Sequence, residues 1–264
     1  MNNRRSNPIV MAIVVVCIII TYLISDVVVT KKEAELEAQR IEAERQAEEA
    51  RKLAEAEAAA KAEAEKKNSF LEGIDPNTLS DALFIGDSRT VGIDYYGNIE
   101  EATYFSDVGS SIYNIKDANL KVDGVGMTSL AGLLKSKEFR KIYVMLGYNE
   151  IGYNVEQTIQ KNDEFVAYLQ EAQPTAVIIL QANLHIAEKV FTDGENNVRL
   201  DKINLVIRKI ADNEKVFYID GNPLFDDENG NLNPELTSDG EHLYAEHYNG
   251  WCDWIREETK KIFE

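Results

Sequence analysis

The stretch Ala82-Leu83-Phe84-Ile85-Gly86-Asp87-Ser88-Arg89-Thr90-Val91-Gly92, written ALFIGDSRTVG, decides how the rest of the chain is read. A short apolar run that stops at Gly, Asp and Ser reads as a buried strand entering a turn. Ser88 is then either a nucleophile at the carboxyl end of that strand or one more polar turn residue. Gly, Asp and Ser are what any such turn prefers, so the decision rests on partners elsewhere in the chain.

Outward from that point, apolar runs and helical patterns alternate. Strand-type runs fall at Ala82–Ile85, Thr103–Phe105, Lys141–Leu146, Thr175–Leu180 and Lys215–Ile219. Between them Leu130, Leu133 and Leu134 form one helical pattern, Val155, Ile159, Val166 and Leu169 a second, and Ile203, Val206, Ile207 and Ile210 a third. Tyr244, Tyr248, Trp251 and Ile255 recur at helical spacing and predict a closing helix. Strands alternating with helices imply a five-stranded parallel sheet covered on both faces, an α/β fold. Ligands of such open sheets bind at the carboxyl ends of the strands, where Ser88 falls.

The 264 residues give room for one medium domain plus extensions. Ile9 to Val29 is almost wholly apolar, interrupted only by Thr21, Ser25 and Asp26, and about 20 such residues span a bilayer core. The run is longer than the roughly 7–15 residues of a secretory signal, and no A-x-A cleavage pattern follows it. Residues 1–30 therefore read as a cytoplasmic tip and an uncleaved transmembrane signal anchor. Arg4 and Arg5 precede the span while Lys31 and Lys32 follow it among Glu33, Glu35 and Glu37. The short basic side is expected in the cytoplasm, giving a single-pass protein of the cell membrane with its globular part outside.

Residues 31–67 contain only Ala, Glu, Lys, Arg, Gln and a few Leu or Ile, a strongly helix-forming mixture. Arg45/Glu49, Glu48/Lys52, Arg51/Glu55 and Glu63/Lys67 are spaced for ion pairs one turn apart. Leu36, Ile41 and Leu53 are too sparse for a clear heptad seam, which leaves a solvated single helix or a weak Ala-rich coiled coil with slight self-association. The segment reads as a stalk of about 55 Å. Residues 68–264 form the globular domain and carry −17 of the net charge of −18. Such a surface repels phosphate backbones, so nucleic acid is not expected as a partner. Cys17 lies in the span and Cys252 near the C-terminus, and no disulfide between them is expected.

Acyl transfer through a serine needs a base, a group to orient the base, and donors for the developing oxyanion. Three histidines are available, His185, His242 and His247. His242 follows Asp239 by three residues in Thr237-Ser238-Asp239-Gly240-Glu241-His242-Leu243, and if Asp239 opens the last helix the two share a face. Asp239 also reads as the N-cap of that helix, a role compatible with the first. His247 reads as a surface or helix-packing residue, and His185, in Leu180-Gln181-Ala182-Asn183-Leu184-His185, as a loop residue at the mouth of the site. Gly147-Tyr148-Asn149-Glu150 ends the third strand and sets an Asn amide where the sheet opens, and Gly109 could expose a backbone N–H after the second strand. Gly124 and Gly126 are alternatives to Gly109.

Gly-Asp-Ser after the first strand, Gly after the second, Gly-x-Asn after the third and Asp-x-x-His near the C-terminus together resemble the SGNH/GDSL hydrolase family over roughly residues 80–260. The resemblance implies a flavodoxin-like three-layer α/β/α sandwich and no metal or organic cofactor. It implies Ser88 as nucleophile, His242 as general base and acid, and Asp239 as the orienting carboxylate. The oxyanion hole would use Ser88, Gly109 and Asn149, and Asp87 would be structural. Two departures mark this chain. Arg89 replaces the aliphatic residue common after the serine, and Glu150 stands where the family usually has Asp, so Arg89, Tyr148 and Glu150 are candidates for a substrate pocket.

The expected activity is an extracytoplasmic serine esterase, an O-acetylesterase, acting on an acylated cell-envelope glycan or another ester. The same triad would serve an O-acyltransferase of a cell-wall polysaccharide. A non-catalytic glycan-binding or tethering module is the alternative from another class.

Overall fold

The computed structural model describes residues 8–187 and 195–264. The chain divides into two compact units, residues 1–65 and residues 66–264. Arg4 and Arg5, on which the expected orientation of the span rests, lie outside the described residues.

In the first unit the apolar and the charged segments run through one helix, α1 (Pro8–Leu71), which continues into the first residues of the second unit. Its apolar part is long enough and apolar enough to cross a membrane and is a candidate anchor. Farther along, Lys52 pairs with Glu48 at 2.9 Å and Arg51 with Glu55 at 3.4 Å, as the spacing predicts. Arg45 instead reaches back to Glu42 at 3.0 Å rather than forward to Glu49, the i−3 partner being equally near on a helix surface. The side chains of Glu63 and Lys67 are outside the described set.

The second unit runs β1 (Ala82–Gly86), α2 (Ser88–Tyr96), β2 (Thr103–Ser106), β3 (Asn119–Val122), β4 (Gly126–Ser129), α3 (Leu130–Ser136) and β5 (Lys141–Met145). It continues through α4 (Val155–Ala172), β6 (Val177–Gln181), α5 (Asn196–Ile210), β7 (Val216–Ile219), α6 (Asn222–Phe225) and α7 (Tyr248–Phe263). Strands β2-β1-β5-β6-β7 lie side by side in that order, all parallel. This is the flavodoxin-like order, in which the chain reverses direction across the sheet beside β1. Ile85 pairs with Phe105 on one side and Val144 on the other, which puts the carboxyl ends of β2, β1 and β5 level.

The five expected strands are the five of this sheet, shifted by a residue or two at their ends. They are continuous apolar runs because both faces are covered. Leu83, Ile85, Phe105, Ile142, Val144, Ile178 and Leu180 face one core, shared with Leu133 of α3, Phe165 and Leu169 of α4 and Ile203 of α5. Phe84, Tyr143, Met145, Ile179 and Phe217 face the other, shared with Ile93 of α2 and Trp251 and Ile255 of α7. Alternate residues of each strand thus serve opposite layers.

One local reading is corrected and one element is added. The closing helix begins at Tyr248, so Tyr244 lies before it and Asp239 neither opens nor caps it. The hairpin β3–β4 has no apolar run to announce it, being a short antiparallel pair that buries Val122 and leaves half its residues exposed, turned at Gly124, where φ is +75°.

Candidate active site

Strand β1 delivers Gly86-Asp87-Ser88 into the first turn of α2. Gly86 has no room for a side chain, since a Cβ there would fall 1.9 Å from Thr90 Oγ1 and 2.9 Å from the Met145 carbonyl. Asp87 is the N-cap, its Oδ1 accepting the Arg89 N–H at 3.0 Å. Ser88 thereby occupies the first helical position, where backbone N–H groups have no partner within the helix and favour negative charge.

Its Oγ lies 2.8 Å from His242 Nε2, and His242 Nδ1 lies 2.8 Å from Asp239 Oδ2. Residues 154 positions apart in the chain therefore form one continuous hydrogen-bonded relay. The geometry that sets it is an acidic turn, not a helix. Asp239 Oδ1 accepts the N–H groups of Glu241 and His242, both at 2.8 Å, leaving Oδ2 for the imidazole. Partial burial pushes the Asp239 carboxyl up, but those two N–H groups and the imidazole outweigh it and hold the carboxyl well below its usual range. The turn is tied into the fold where Gly240 accepts the Ala187 N–H at 2.8 Å and Thr237 Oγ1 accepts the Gly240 N–H at 2.9 Å.

The other sequence-predicted residues meet at the carboxyl ends of β2 and β5. Gly109 sits in the turn after β2 with φ of +76° and open space around it. Gly124 and Gly126 instead belong to the hairpin. Asn149 Nδ2 donates to the Ser110 carbonyl at 2.8 Å, which occupies one of its two hydrogens.

Arg89 and Glu150 do not line an open pocket in this structure, because each is only 1% exposed. The Arg89 guanidinium lies 4.0 Å over the Tyr148 ring and its Nε donates to the Glu241 carbonyl at 3.4 Å. Burial first, and the Glu241 carboxylate in addition, push the Tyr148 hydroxyl well above its usual pKa. Arg89, stacked on Tyr148, thus braces the residue that precedes His242. Glu150 accepts the N–H of Ile112 in the Gly109 loop.

His185 is occupied elsewhere, its Nδ1 2.9 Å from Asp226 and its Nε2 3.0 Å from Asp201. Burial opposes its charge, but the two carboxylates prevail and raise its pKa. His247 lies on the short turn before α7, 4.0 Å from the Glu246 carboxylate.

Asn183 was not singled out by the sequence. Buried after β6, its Oδ1 accepts the Tyr148 N–H at 3.0 Å and its Nδ2 donates to the Leu146 carbonyl at 3.1 Å, while Asn204 and Asn222 bond its backbone. These three amides set the loops after β5, β6 and β7 relative to one another. The available signal was Asn204, a polar residue on the apolar face of α5.

The profile of the GDSL-like Lipase/Acylhydrolase family matches residues 84–249, from β1 into the first turn of α7. The chain belongs to that family. It is a serine hydrolase of the ester-cleaving class, and its sheet order is the family's α/β fold. A GDSL-like lipase from Bacteroides thetaiotaomicron superposes with a TM-score of 0.52 at 18% identity, covering 76% of this chain and 97% of that one. A protein described as an acylhydrolase from Bacteroides fragilis gives 0.53 at 16% identity, covering 69% and 88%. At these identities the likeness is one of fold. The hydrolase is also 26% identical over 188 residues to the N-acylneuraminate cytidylyltransferase of Streptococcus agalactiae, spanning 70% of this chain and only 40% of that relative. Among the described residues, no group of three or more His, Cys, Asp or Glu is arranged to hold a metal ion.

Proposed function

We propose that the hydrolase removes acyl groups, acetyl foremost, from a cell-envelope glycan on the outer side of the membrane, through an acyl-enzyme on Ser88. The observation that carries this reading is the unbroken Asp239–His242–Ser88 relay at 2.8 Å per step. His242 Nε2 takes the Oγ proton as Ser88 attacks the ester carbonyl, and Asp239 stabilises the imidazolium that forms. The oxyanion is received by the N–H of Ser88, the N–H of Gly109 and the side chain of Asn149. Collapse returns the proton from His242 to the departing sugar hydroxyl. A water deprotonated by His242 then attacks the acyl carbonyl, releasing the carboxylate and restoring Ser88.

Placement and charge support the substrate class. A candidate membrane helix and a charged helical segment precede the domain, which suits a polymer lying near a membrane. A domain of net charge −17 accommodates a neutral acylated sugar more readily than a polyanion. The test is to incubate the full chain in detergent with O-acetylated and chemically deacetylated envelope polysaccharide and to measure free acetate. Acetate from the first alone supports the reading. Acetate that appears on an added sugar acceptor instead of in solution assigns the same triad to acyl transfer, and no release at all from the acetylated polymer refutes the glycan assignment.

A further inference from the structure

Glu150 is an unusual buried group. It is 1% exposed, on the turn that follows β5, and its two carboxyl oxygens differ in their surroundings. One accepts the backbone N–H of Ile112. The other is buried without a hydrogen-bond partner. Asn149, its neighbour, donates to the Ser110 carbonyl. Two adjacent side chains of one turn therefore grip two points of the loop that begins at Gly109, and the grip on Ile112 is the deeper one, Ile112 itself being 4% exposed.

The backbone bonds inside that loop are local, while Tyr113, stacked on Tyr153 and 3.0 Å from Thr158 Oγ1, and the buried Ile112 and Ile115 tie its far end to α4 and the core. Ser110 donates to Asp107, Asn114 Oδ1 accepts the Ser111 N–H, and Ile115 donates to Ser111, so the segment that follows Gly109 is a well-formed turn. The bonds from Asn149 and Glu150 fix it against the carboxyl end of β5. Asp87, the residue before Ser88, is also buried with one carboxyl oxygen unpartnered, and its charge acts on Glu150. Burial in the first place, and the Asp87 charge in addition, push Glu150 up to about 7 against the opposing bond from Ile112. The loops after β2 and β5 thus meet at this one carboxyl.

We propose that Glu150 is a positioning residue that holds the Gly109 N–H at the oxyanion site by fixing the Ile112 amide, without itself touching substrate. This rests on the reading of Ser88 and Gly109 given above. A shift of about 1 Å in an oxyanion donor weakens a transition-state contact while leaving ground-state binding alone, so the cost falls on kcat and not on KM.

The full chain in detergent, its Glu150→Ala, Glu150→Gln and Ser88→Ala variants, an aryl acetate and amide hydrogen exchange at Ile112 test it. Glu150→Ala is expected to lower kcat roughly 10- to 100-fold with KM changed less than about threefold, and to lose protection at Ile112. Glu150→Gln keeps an acceptor for that amide and is expected to restore both kcat and protection to within about threefold of the parent. A Glu150→Gln protein as impaired as Glu150→Ala, or a Glu150→Ala protein with normal kcat and an exposed Ile112 amide, overturns the proposal. Should Glu150→Ala fail to fold, a Glu150→Gln protein more than tenfold slower than the parent overturns it equally. Ser88→Ala separates the two readings: full turnover in that variant refutes the serine mechanism, and Ile112 protection unchanged in Glu150→Ala refutes the positioning role whatever the activity.

Discussion

Replacing Asp239 by Asn changes a single proton-bonding valence, and the local geometry fixes which one. Asp239 Oδ1 accepts two backbone N–H groups at 2.8 Å, from Glu241 and His242, while Oδ2 faces His242 Nδ1. An Asn oxygen stays with the two N–H donors, because the flipped amide would aim its own hydrogens at them and lose about 1–3 kcal/mol for each unmade bond. The Asn NH2 therefore faces Nδ1, which must accept, and the imidazole proton moves to Nε2. Nε2 then donates to Ser88 Oγ and can no longer take its proton. Loss of the base tautomer in this way costs about 10⁴ in kcat, or about 5.5 kcal/mol of barrier. Stability should change by less than about 1 kcal/mol, because the turn keeps its acceptor and the Asp239 side chain is half exposed. The assay is steady-state aryl acetate hydrolysis by the full chain in detergent, beside circular dichroism melting. Turnover within tenfold of the parent would refute the orienting role and leave Asp239 as the residue that merely builds the turn.

Two further outcomes concern the frame around the site. Glu150 ionises less readily folded than unfolded, so stability should fall as pH rises from about 4.5 to about 7, by about 3 kcal/mol, and level off above. Denaturant melts of the parent and of Glu150→Gln across that range check this, since the Gln variant should lack this component. Gly147 holds φ of +143°, and a Cβ there would fall 2.5 Å from Asn183 Nδ2 and 2.8 Å from Ile203 Cγ2. Gly147→Ala should therefore cost about 2–4 kcal/mol in thermal or denaturant unfolding, where an unchanged midpoint would show that the turn can relax.

The strands were legible because a parallel sheet buried on both faces writes itself as uninterrupted apolar runs, of which Lys141–Leu146 and Thr175–Leu180 are plain cases. The Asp-x-x-His spacing was legible too, but its geometry was not. Spacing alone suggested a helix face, whereas Gly240, with φ of +84°, turns the chain so that Asp239 caps its own loop. The hairpin β3–β4 was hidden because two four-residue strands, Asn119–Val122 and Gly126–Ser129, are too short to carry a periodic signal. Arg89 and Glu150 were expected to meet substrate because they depart from the residues the family usually carries at those positions. Burial decides otherwise in this structure, and burial is a property of the assembled loops that no local pattern encodes. The Asn183, Asn204 and Asn222 cluster escaped for the same reason, its members lying 21 and 39 residues from Asn183.

The most direct measurement is acetate release from a simple aryl acetate by the full chain in detergent, beside Ser88→Ala. With Ser88 as the attacking group, release should fall in the variant to the uncatalysed background while the fold, followed by circular dichroism, stays intact. Equal release by the two proteins would contradict a nucleophilic Ser88 and leave the Asp239–His242–Ser88 relay as a structural clasp.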